Sequence, residues 1–243
     1  MIFNQILSLS NISIIQRVLP NTIDVNIVFD GNSLTQGEGA GGVQVYPNKV
    51  KNNYATTFKS LEFHSYGIGG QTLSQMMQDR TTQVLPLANS SKTNILFLWE
   101  DVNGLFQNNA AGAQAHFDNM KLYAQDAKNA GFQKVVLLTS YYFKKDADSI
   151  FRNIVGTDVS YVELAGGTSD ILDIYFDLVT NSNISDVPWD YHIDLRNAPN
   201  IGGLRNRVKD NNYFTDFIHL TDLGYQRVAE QVILVVNEIM GIS

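Results

Sequence analysis

Four short runs of apolar residues, rich in β-branched side chains, constrain the fold of this chain more than any other feature of its sequence. The runs span residues 25–29, 61–66, 94–99 and 134–139, and a weaker fifth run spans 191–195. Runs that stay apolar at consecutive positions are typical of strands that are buried on both faces. Stretches with helical spacing separate them, which indicates right-handed βαβ units. The sequence therefore predicts a three-layer α/β/α sandwich around a parallel sheet of about five strands.

Apolar residues at helical spacing mark four further stretches. Their members are Tyr54, Phe58 and Leu61; Phe117, Met120, Tyr123, Ala124 and Ala127; Val162, Leu164, Ile171, Ile174, Tyr175 and Leu178; and Tyr225, Val228, Val232, Val235 and Ile239. Gly131 is placed to end the second helix, because glycine tolerates the left-handed conformation that follows a helix. Gly166 and Gly167 interrupt the third stretch, and Thr221 is a suitable N-cap for the last helix.

The length of 243 residues fits one large domain, which we predict over residues 25–243, with residues 1–24 as an N-terminal arm or surface appendage. The chain has no cysteine, which excludes a disulfide framework, a thiolate metal site and a cysteine nucleophile. Its formal net charge of −7 argues against the phosphate backbone of nucleic acid as the main partner, and equally against an anionic membrane surface.

The sequence offers no membrane segment. No stretch approaches 18 apolar residues without charges, so no transmembrane span is predicted. The first 20 residues lack a basic start, and polar residues such as Asn4 and Gln5 interrupt their apolar run, so a conventional signal peptide is not expected. The cytoplasm and a virion are the locations that these features leave open, and they do not determine an oligomeric state.

The loops that follow the predicted strands are the places to search for chemistry, because ligands of open α/β sheets bind beyond the carboxyl ends of the strands. Ser33 follows the first strand, two residues after Gly31, where it is placed as an exposed nucleophile. The alternative for this segment is a turn that caps the next helix. The glycines from Gly37 to Gly42 lie too far beyond the strand for a dinucleotide fingerprint, so we interpret them as a loop at the edge of a substrate site.

The loops after the second and third strands offer hydrogen-bond donors for a developing oxyanion. Glycines at 67, 69 and 70 expose backbone N–H groups where a helix is expected to begin, although a plain turn explains them as well. Asn103 adds a neutral side-chain donor after the third strand. Glu100 and Asp101 beside it suggest a metal or a carboxylate pair instead, but no histidine lies nearby in the sequence to complete a metal site.

Near the C-terminus an aspartate precedes a histidine by three residues, in Asp216-Phe217-Ile218-His219. At this spacing on a turn the carboxylate can fix the tautomer of the imidazole and stabilise the imidazolium. A lone histidine is more often structural, so the case for His219 depends on Ser33 and the oxyanion candidates lying at the same sheet edge. The other histidines, which lie in predicted strands or on a helix face, are weaker candidates: His64, His116 and His192.

These segments, in this order, resemble the sequence blocks of the SGNH hydrolase superfamily, also called GDSL esterases and lipases. The resemblance runs from about residue 25 to the C-terminus, and its blocks fall on residues 31–34, 67–72, 101–104 and 216–219. It implies a flavodoxin-like fold and a triad of Ser33 as nucleophile, His219 as base and Asp216 as orienting carboxylate. It also implies an oxyanion hole formed by the N–H groups of Ser33 and Gly70 and the side chain of Asn103, with no cofactor and no metal.

Three residues depart from the pattern of the family. Asn32 replaces the aspartate of the first block, in a segment that resembles phage and phage-like members. In the third block Asp101 stands at the position of a glycine, and Gly104 stands at the position of the aspartate. If Asp101 points inward, its negative charge lies close to a second developing charge, and the reaction should be slowed.

The resemblance implies ester hydrolysis through an acyl-enzyme, on a small-molecule or glycan ester. The phage-like first block and the Asn-rich, Cys-free composition direct the expectation toward O-deacetylation of an acetylated surface polysaccharide, with a generic short-chain esterase as the nearest alternative. Two alternatives lie outside hydrolysis. One is a non-catalytic carbohydrate-binding or virion-structural module on the same fold, and the other is an acyltransferase that uses the same triad.

Overall fold

The computed structural model describes residues 20–41, 45–103, 110–141, 171–202, 212–216 and 218–242. The strands are β1 (Asp24–Gly31), β2 (Ser60–Gly67), β3 (Thr93–Trp99), β4 (Lys134–Thr139) and β5 (Tyr191–Asp194). The α-helices are α1 (Ser33–Gln36), α2 (Tyr46–Tyr54), α3 (Leu73–Gln83), α4 (Ala110–Ala130), α5 (Ile171–Thr180) and α6 (Asp222–Met240). Short 3₁₀ helices lie at Pro20–Thr22, Leu85–Leu87, Ile184–Asp186 and Leu195–Asn197.

The five strands form one parallel sheet in the order β2-β1-β3-β4-β5. Each predicted strand is confirmed, and the bounds differ from the prediction by two residues at most. This is the flavodoxin-like strand order, in which the direction of winding reverses between β1 and β3. At the carboxyl end Gly31 of β1 is in register with Gly67 of β2 and with Trp99 of β3, so the loops after these strands start side by side.

Helices cover both faces of the sheet. Adjacent residues of a strand point to opposite faces. In β1, Phe29 packs edge-on against Tyr46 of α2 with ring centroids 5.4 Å apart, whereas the carboxylate of Asp30 accepts a hydrogen bond from the hydroxyl of Tyr123 in α4 at 2.5 Å. Helix α2 packs against α6, and α4 packs against α3 and α5. These contacts confirm the three-layer sandwich.

The other three predicted helices agree with the structure where it describes them. Thr221 caps α6, since its hydroxyl accepts a hydrogen bond from the N–H of Gly224 at 3.2 Å. Gly131 follows α4 with a φ of 109°. The part of the third stretch that includes Val162 and Leu164 lies outside the described residues, as do residues 1–19 of the predicted N-terminal arm.

The helix predicted from Tyr54, Phe58 and Leu61 is wrong. Helix α2 ends at Tyr54, Phe58 lies in the following loop, and Leu61 belongs to β2. The helical spacing arises because the loop folds back on the helix end, where the rings of Tyr54 and Phe58 stack at 5.2 Å. No helix in the described part of the chain is both long and apolar enough to cross a membrane.

Candidate active site

Ser33 lies at the carboxyl end of β1, as the first residue of α1. Asn32 separates the strand from the helix and acts as the N-cap, since its Oδ1 accepts a hydrogen bond from the N–H of Leu34 at 2.9 Å. Glycine is required at position 31, because a Cβ there would lie 2.6 Å from the carbonyl oxygen of Trp99. The interpretation of this segment as a helix cap is therefore confirmed, and the same turn carries Ser33, whose role as nucleophile stays a prediction.

The loop before α6 presents the predicted Asp-x-x-His segment. Phe214 and Leu220 form an antiparallel bridge that closes this loop at its base. Within it, Oδ1 of Asp216 accepts hydrogen bonds from the N–H groups of Ile218 at 2.7 Å and His219 at 2.6 Å. Its Oδ2 lies 2.7 Å from Nδ1 of His219. The carboxylate is thus held by the backbone of the loop while it orients the imidazole.

The structure brings the three predicted triad residues together. Oγ of Ser33 lies 3.0 Å from Nε2 of His219, although 186 residues separate them in the sequence. With Asp216 on the other ring nitrogen, hydroxyl, imidazole and carboxylate form one hydrogen-bonded chain. This is the geometry that a serine nucleophile, its general base and an orienting carboxylate require.

The two ionisable members of this chain have shifted pKa values. Burial on its own would raise the pKa of Asp216, but hydrogen bonds from His219 and from the N–H of Ile218 lower it to about 2. Burial on its own would lower the pKa of His219, but the hydrogen bond and charge of Asp216, with the charge of Glu38, raise it above its ordinary value. Asp216 is therefore ionised at neutral pH, and the imidazole is a stronger base than free histidine.

The loop after β2 brings Gly70 towards the same edge. The N–H of Ile68 donates to the carbonyl oxygen of Gly31 at 3.1 Å, which fixes the start of the loop beside β1. Gly70 has a φ of 73°, a conformation that favours glycine, and a Cβ there would have no atom within 4 Å. The space beside Gly70 is therefore open to a ligand. The N–H of Ser33, at the first position of α1, has no partner within its helix.

Asn103 lies next to Gly70 in space. Its Nδ2 donates to the carbonyl oxygen of Gln71, the residue after Gly70, at 3.0 Å. A primary amide has two N–H groups, so one proton remains to bind a ligand. The structure thus brings the three oxyanion candidates to loops that start at adjacent strand ends.

The buried carboxylate of Glu100 holds this arrangement, a role that sequence reasoning missed. Its Oε1 accepts hydrogen bonds from the N–H groups of Val102 at 3.2 Å and Asn103 at 2.7 Å, and from Nδ2 of Asn32 at 3.3 Å. One carboxylate therefore joins Asn32, the N-cap beside the predicted nucleophile, to the backbone of the oxyanion candidate Asn103. Its position at a strand end was the only sequence signal, and that signal suggested a metal or a carboxylate pair instead.

Asp101 binds a different partner from Glu100. Its two oxygens accept hydrogen bonds from the hydroxyl of Ser140 and from the N–H of the same residue. Burial raises the pKa of Asp101 to about 7, although the hydrogen bonds from Ser140 oppose that effect. Asp101 is thus buried with Ser140 as its hydrogen-bond partner, and the expectation that its charge slows the reaction stays a prediction. Gly104, the other departure in this block, lies outside the described residues.

A second residue that the sequence did not indicate is Glu38, in the loop after α1. Its Oε2 lies 3.4 Å from Nε2 of His219, the nitrogen that faces Ser33, and its side chain is 57% exposed. The hydroxyl of Tyr225 in α6 donates to the carbonyl oxygen of Glu38 at 2.8 Å and holds this loop in place. Nothing in the spacing of the sequence predicts this contact, since it depends on how two loops pack.

The other three histidines have structural contacts. His64 lies within β2, paired in register with Val28. Nε2 of His116 lies 2.6 Å from the carbonyl oxygen of Glu100, and Nε2 of His192 lies 2.8 Å from Oγ1 of Thr139. Over the described ranges, no group of three or more histidine, aspartate or glutamate side chains has the geometry to hold a metal ion.

Comparison with solved structures gives neighbours for this architecture. A member of the lipolytic G-D-S-L family from Veillonella parvula has a TM-score of 0.60 and 17% identity, over 87% of this chain and 97% of its own. A GDSL-like lipase from Bacteroides thetaiotaomicron has a TM-score of 0.60 and 17% identity, over 88% of each chain. An acetylxylan esterase from Geobacillus stearothermophilus has a TM-score of 0.58 and 12% identity, over 89% and 95%.

No family model and no curated protein sequence matches the chain. The structural likeness covers nearly nine-tenths of the chain and most of each neighbour, at identities below 20%. The phage-like character suggested by the first block stays a prediction. What the neighbours establish is the architecture: the chain has the fold of the GDSL, or SGNH, hydrolases.

Proposed function

We propose that this protein is a carboxylic-ester hydrolase that acts through an acyl-enzyme on Ser33. The observation that carries the proposal is the hydrogen-bonded chain from Oγ of Ser33 through His219 to Asp216, with distances of 3.0 and 2.7 Å. Structural neighbours that are named as lipolytic GDSL proteins and as acetylxylan esterases support the same class of reaction.

In the proposed reaction Nε2 of His219 takes the proton of the Ser33 hydroxyl while Oγ attacks the ester carbonyl carbon. The ionised Asp216 stabilises the imidazolium that forms. The N–H groups of Ser33 and Gly70 and the free N–H of the Asn103 amide bind the oxyanion. The imidazolium then protonates the leaving alcohol as the carbon–oxygen bond breaks. Water, deprotonated by the same histidine, releases the acid from Ser33.

We propose an acetyl group on a polysaccharide as the natural ester. The phage-like first block of the sequence favours a surface polysaccharide. The structural neighbour from Geobacillus stearothermophilus, named as an acetylxylan esterase, supports an acetyl ester of a sugar polymer. The 17% share of charged residues also leaves much of the polar surface to uncharged side chains, which suit hydroxyl-rich ligands.

The test is replacement of the nucleophile, Ser33→Ala, assayed on p-nitrophenyl acetate. We expect kcat to fall by roughly 10⁴–10⁶, because the acyl-enzyme cannot form. A fluorophosphonate probe should label the wild-type protein at Ser33 and leave the variant unlabelled. The matched control is Ser185→Ala, at an exposed serine far along the chain, which should retain full activity and labelling.

Circular dichroism spectra must show that Ser33→Ala is folded. Wild-type turnover in the folded variant would contradict the mechanism. Binding of glycans without turnover or labelling in the wild-type protein would point to the non-catalytic module. Acyl transfer to a sugar alcohol faster than hydrolysis would point to an acyltransferase.

A further inference from the structure

A groove of about 320 Å³ opens beside Gly70, between the loop after β2 and the first half of α3. Its walls are formed mainly by amide side chains and loop backbone, with one apolar residue and one carboxylate. The residues that matter here are Ile68, Gly70, Gln71, Gln75, Gln78 and Asp79. Because Gly70 also belongs to the proposed oxyanion hole, a ligand in this groove would be continuous with an ester bound at Ser33.

Gln71 presents a buried acceptor in this groove. The residue is only 4% exposed, and its Nε2 donates to Oδ2 of Asp79 at 3.2 Å. Its Oε1 is buried and accepts no hydrogen bond. A buried polar atom without a partner costs free energy, so native structures nearly always satisfy such atoms. A buried acceptor without a partner, on a residue that lines a groove, is explained if a bound ligand supplies the donor.

Gln75 presents the complementary group, with a fixed orientation. Its Oε1 accepts hydrogen bonds from the N–H of Thr72 at 2.8 Å and from the hydroxyl of Thr72 at 3.1 Å, as part of the capping box of α3. Since the amide oxygen is held by the helix terminus, the amide N–H groups are oriented in advance. The residues that line the groove therefore include an oriented donor on α3 and an unpaired acceptor in the loop after β2.

The charges around the groove are negative. Asp79 lines it, and Oε2 of Glu38 would lie 3.9 Å from a Cβ at Gly69, on the side nearest His219. No lysine or arginine is among the described residues that line the groove. Like charges without compensating cations disfavour an anionic ligand. The groove is therefore suited to an uncharged molecule with several hydroxyl groups.

We infer that this groove binds an uncharged sugar residue of the ester substrate, with Gln71 accepting and Gln75 and Gln78 donating hydrogen bonds to its hydroxyl groups. The inference rests on the proposed esterase function, because it places the sugar next to the oxyanion hole of that site. Ile68, which is 42% exposed, provides an apolar surface for the carbon face of the ring.

The experiment compares two acetyl esters that differ in the sugar. Acetylated xylo-oligosaccharides carry an uncharged sugar, and p-nitrophenyl acetate carries none. The measured quantity is the ratio of kcat/KM for the first ester to kcat/KM for the second. We expect Gln71→Met and Gln78→Ala each to lower this ratio about tenfold, the effect of one lost hydrogen bond. Gln83→Ala, on the same helix but outside the groove, should leave the ratio unchanged.

A ratio that does not change in Gln71→Met and Gln78→Ala would overturn the inference, as would a wild-type preference for acetylated oligogalacturonates, which are anionic, over the neutral esters. Calorimetric titration of Ser33→Ala with unacetylated xylo-oligosaccharide separates this outcome from failure of the esterase proposal. If the wild-type protein hydrolysed neither ester, but Ser33→Ala bound the sugar and adding Gln78→Ala weakened that binding, the sugar site would be upheld and the esterase proposal refuted. Hydrolysis of p-nitrophenyl acetate without sugar binding would do the reverse.

Discussion

His219 has a carboxylate at each end of its imidazole ring. Asp216 lies 2.7 Å from Nδ1 and is fixed by two backbone N–H groups, whereas Glu38 lies 3.4 Å from Nε2 on an exposed side chain. Nε2 is also the atom that faces Ser33. Glu38 therefore acts on the nitrogen that carries the proton in the proposed reaction, where its charge favours the imidazolium and its carboxylate competes with Ser33 for the N–H.

Replacement of Glu38 by glutamine should shift the acid limb of the pH profile. The charges of Asp216 and Glu38 raise the pKa of His219, and only the neutral imidazole can accept the proton of Ser33. Loss of the Glu38 charge lowers the pKa of His219, so more of the base is active at low pH. We expect the acid limb of kcat/KM for p-nitrophenyl acetate to move to lower pH in Glu38→Gln.

The control for net charge is Glu230→Gln in α6, where the carboxylate pairs with Arg227 and not with His219. This variant loses the same single charge and should keep the wild-type pH profile. A limb that moves equally in both variants would show a general charge effect, and a limb that moves to higher pH in Glu38→Gln would contradict the assignment. In the described part of the chain, the groups that contact the ring nitrogens of His219 are the carboxylates of Asp216 and Glu38 and the neutral hydroxyl of Ser33.

At the scale of elements, the site depends on close packing of the loop after α1 against the loop before α6. Gly39 allows this packing because it has no side chain. Gly39, in the loop after α1, has a φ of 92°, and a Cβ there would lie 2.5 Å from Oγ1 of Thr215 and 2.7 Å from the carbonyl oxygen of Leu220. It would also lie 3.2 Å from Cβ of His219. The approach of the two loops therefore fixes the distance between Glu38 and the imidazole.

Gly39→Ala should lower activity by displacing His219 from Ser33. A displacement of about 1 Å at a catalytic group can cost roughly 10²-fold in rate, so we expect kcat on p-nitrophenyl acetate to fall about 10–100-fold. Gly41→Ala is a matched control, because Gly41 also has a positive φ, 68°, but its Cβ would meet no atom within 4 Å. Equal losses in the two variants would assign the effect to backbone strain and contradict the packing argument.

The elements that the sequence predicted best are those whose pattern depends on burial alone. In the described part of the chain, β1, β3 and β4 were found because a strand covered on both faces must be apolar at nearly every position, as in β3. The edge strands β2 and β5 are more polar, and only Ile193 among their residues is buried. The stripe through Tyr54, Phe58 and Leu61 was wrong because its spacing came from a loop that folds back onto a helix end. A local pattern cannot separate a helix face from residues that meet after a turn.

The candidate site divides in the same way. Ser33, Gly70, Asn103 and the Asp216–His219 pair follow strand ends or precede a helix, positions that βαβ order fixes in advance. The roles of Glu38 and Glu100 depend on contacts between loops, which no spacing encodes. The orientation of Gln75 in the groove likewise depends on its bond to the cap of α3.

At the scale of the whole molecule, buried aspartates and buried histidines have opposite effects on the number of protons that the protein binds when it folds. Burial raises the pKa of Asp30 and of Asp101 to about 7, so each binds a proton in the folded protein that it loses in the unfolded chain above pH 4. Burial lowers the pKa of His192 to about 4 and also lowers that of His116. These histidines stay neutral in the folded protein at pH values where the unfolded chain binds a proton.

The signs of the two effects on stability are opposite. Between about pH 4.5 and 6 the aspartates make the free energy of unfolding fall as pH rises, and the histidines make it rise. His219 contributes above this window. Its raised pKa stabilises the folded protein at low pH, and this stabilisation is lost only as pH rises through the pKa of the folded state. Asp216, with a pKa of about 2, acts below the window. The histidines therefore offset part of the effect of the aspartates on the stability of the wild-type protein between pH 4.5 and 6.

Single substitutions should disclose this balance. Asp101→Asn removes a group that binds a proton only in the folded protein, so between pH 4.5 and 6 the free energy of unfolding should change more positively with pH than in the wild-type protein, by up to about 2 kcal/mol. His192→Gln should change the same slope by a similar amount in the negative direction. Urea denaturation at the two pH values measures both, with Asp118→Asn at an exposed position as the control that keeps the wild-type dependence. If both variants changed the wild-type slope in the same direction, these buried groups would not set the pH dependence. Removal of an acid held neutral and removal of a base held neutral must change proton uptake on folding in opposite directions.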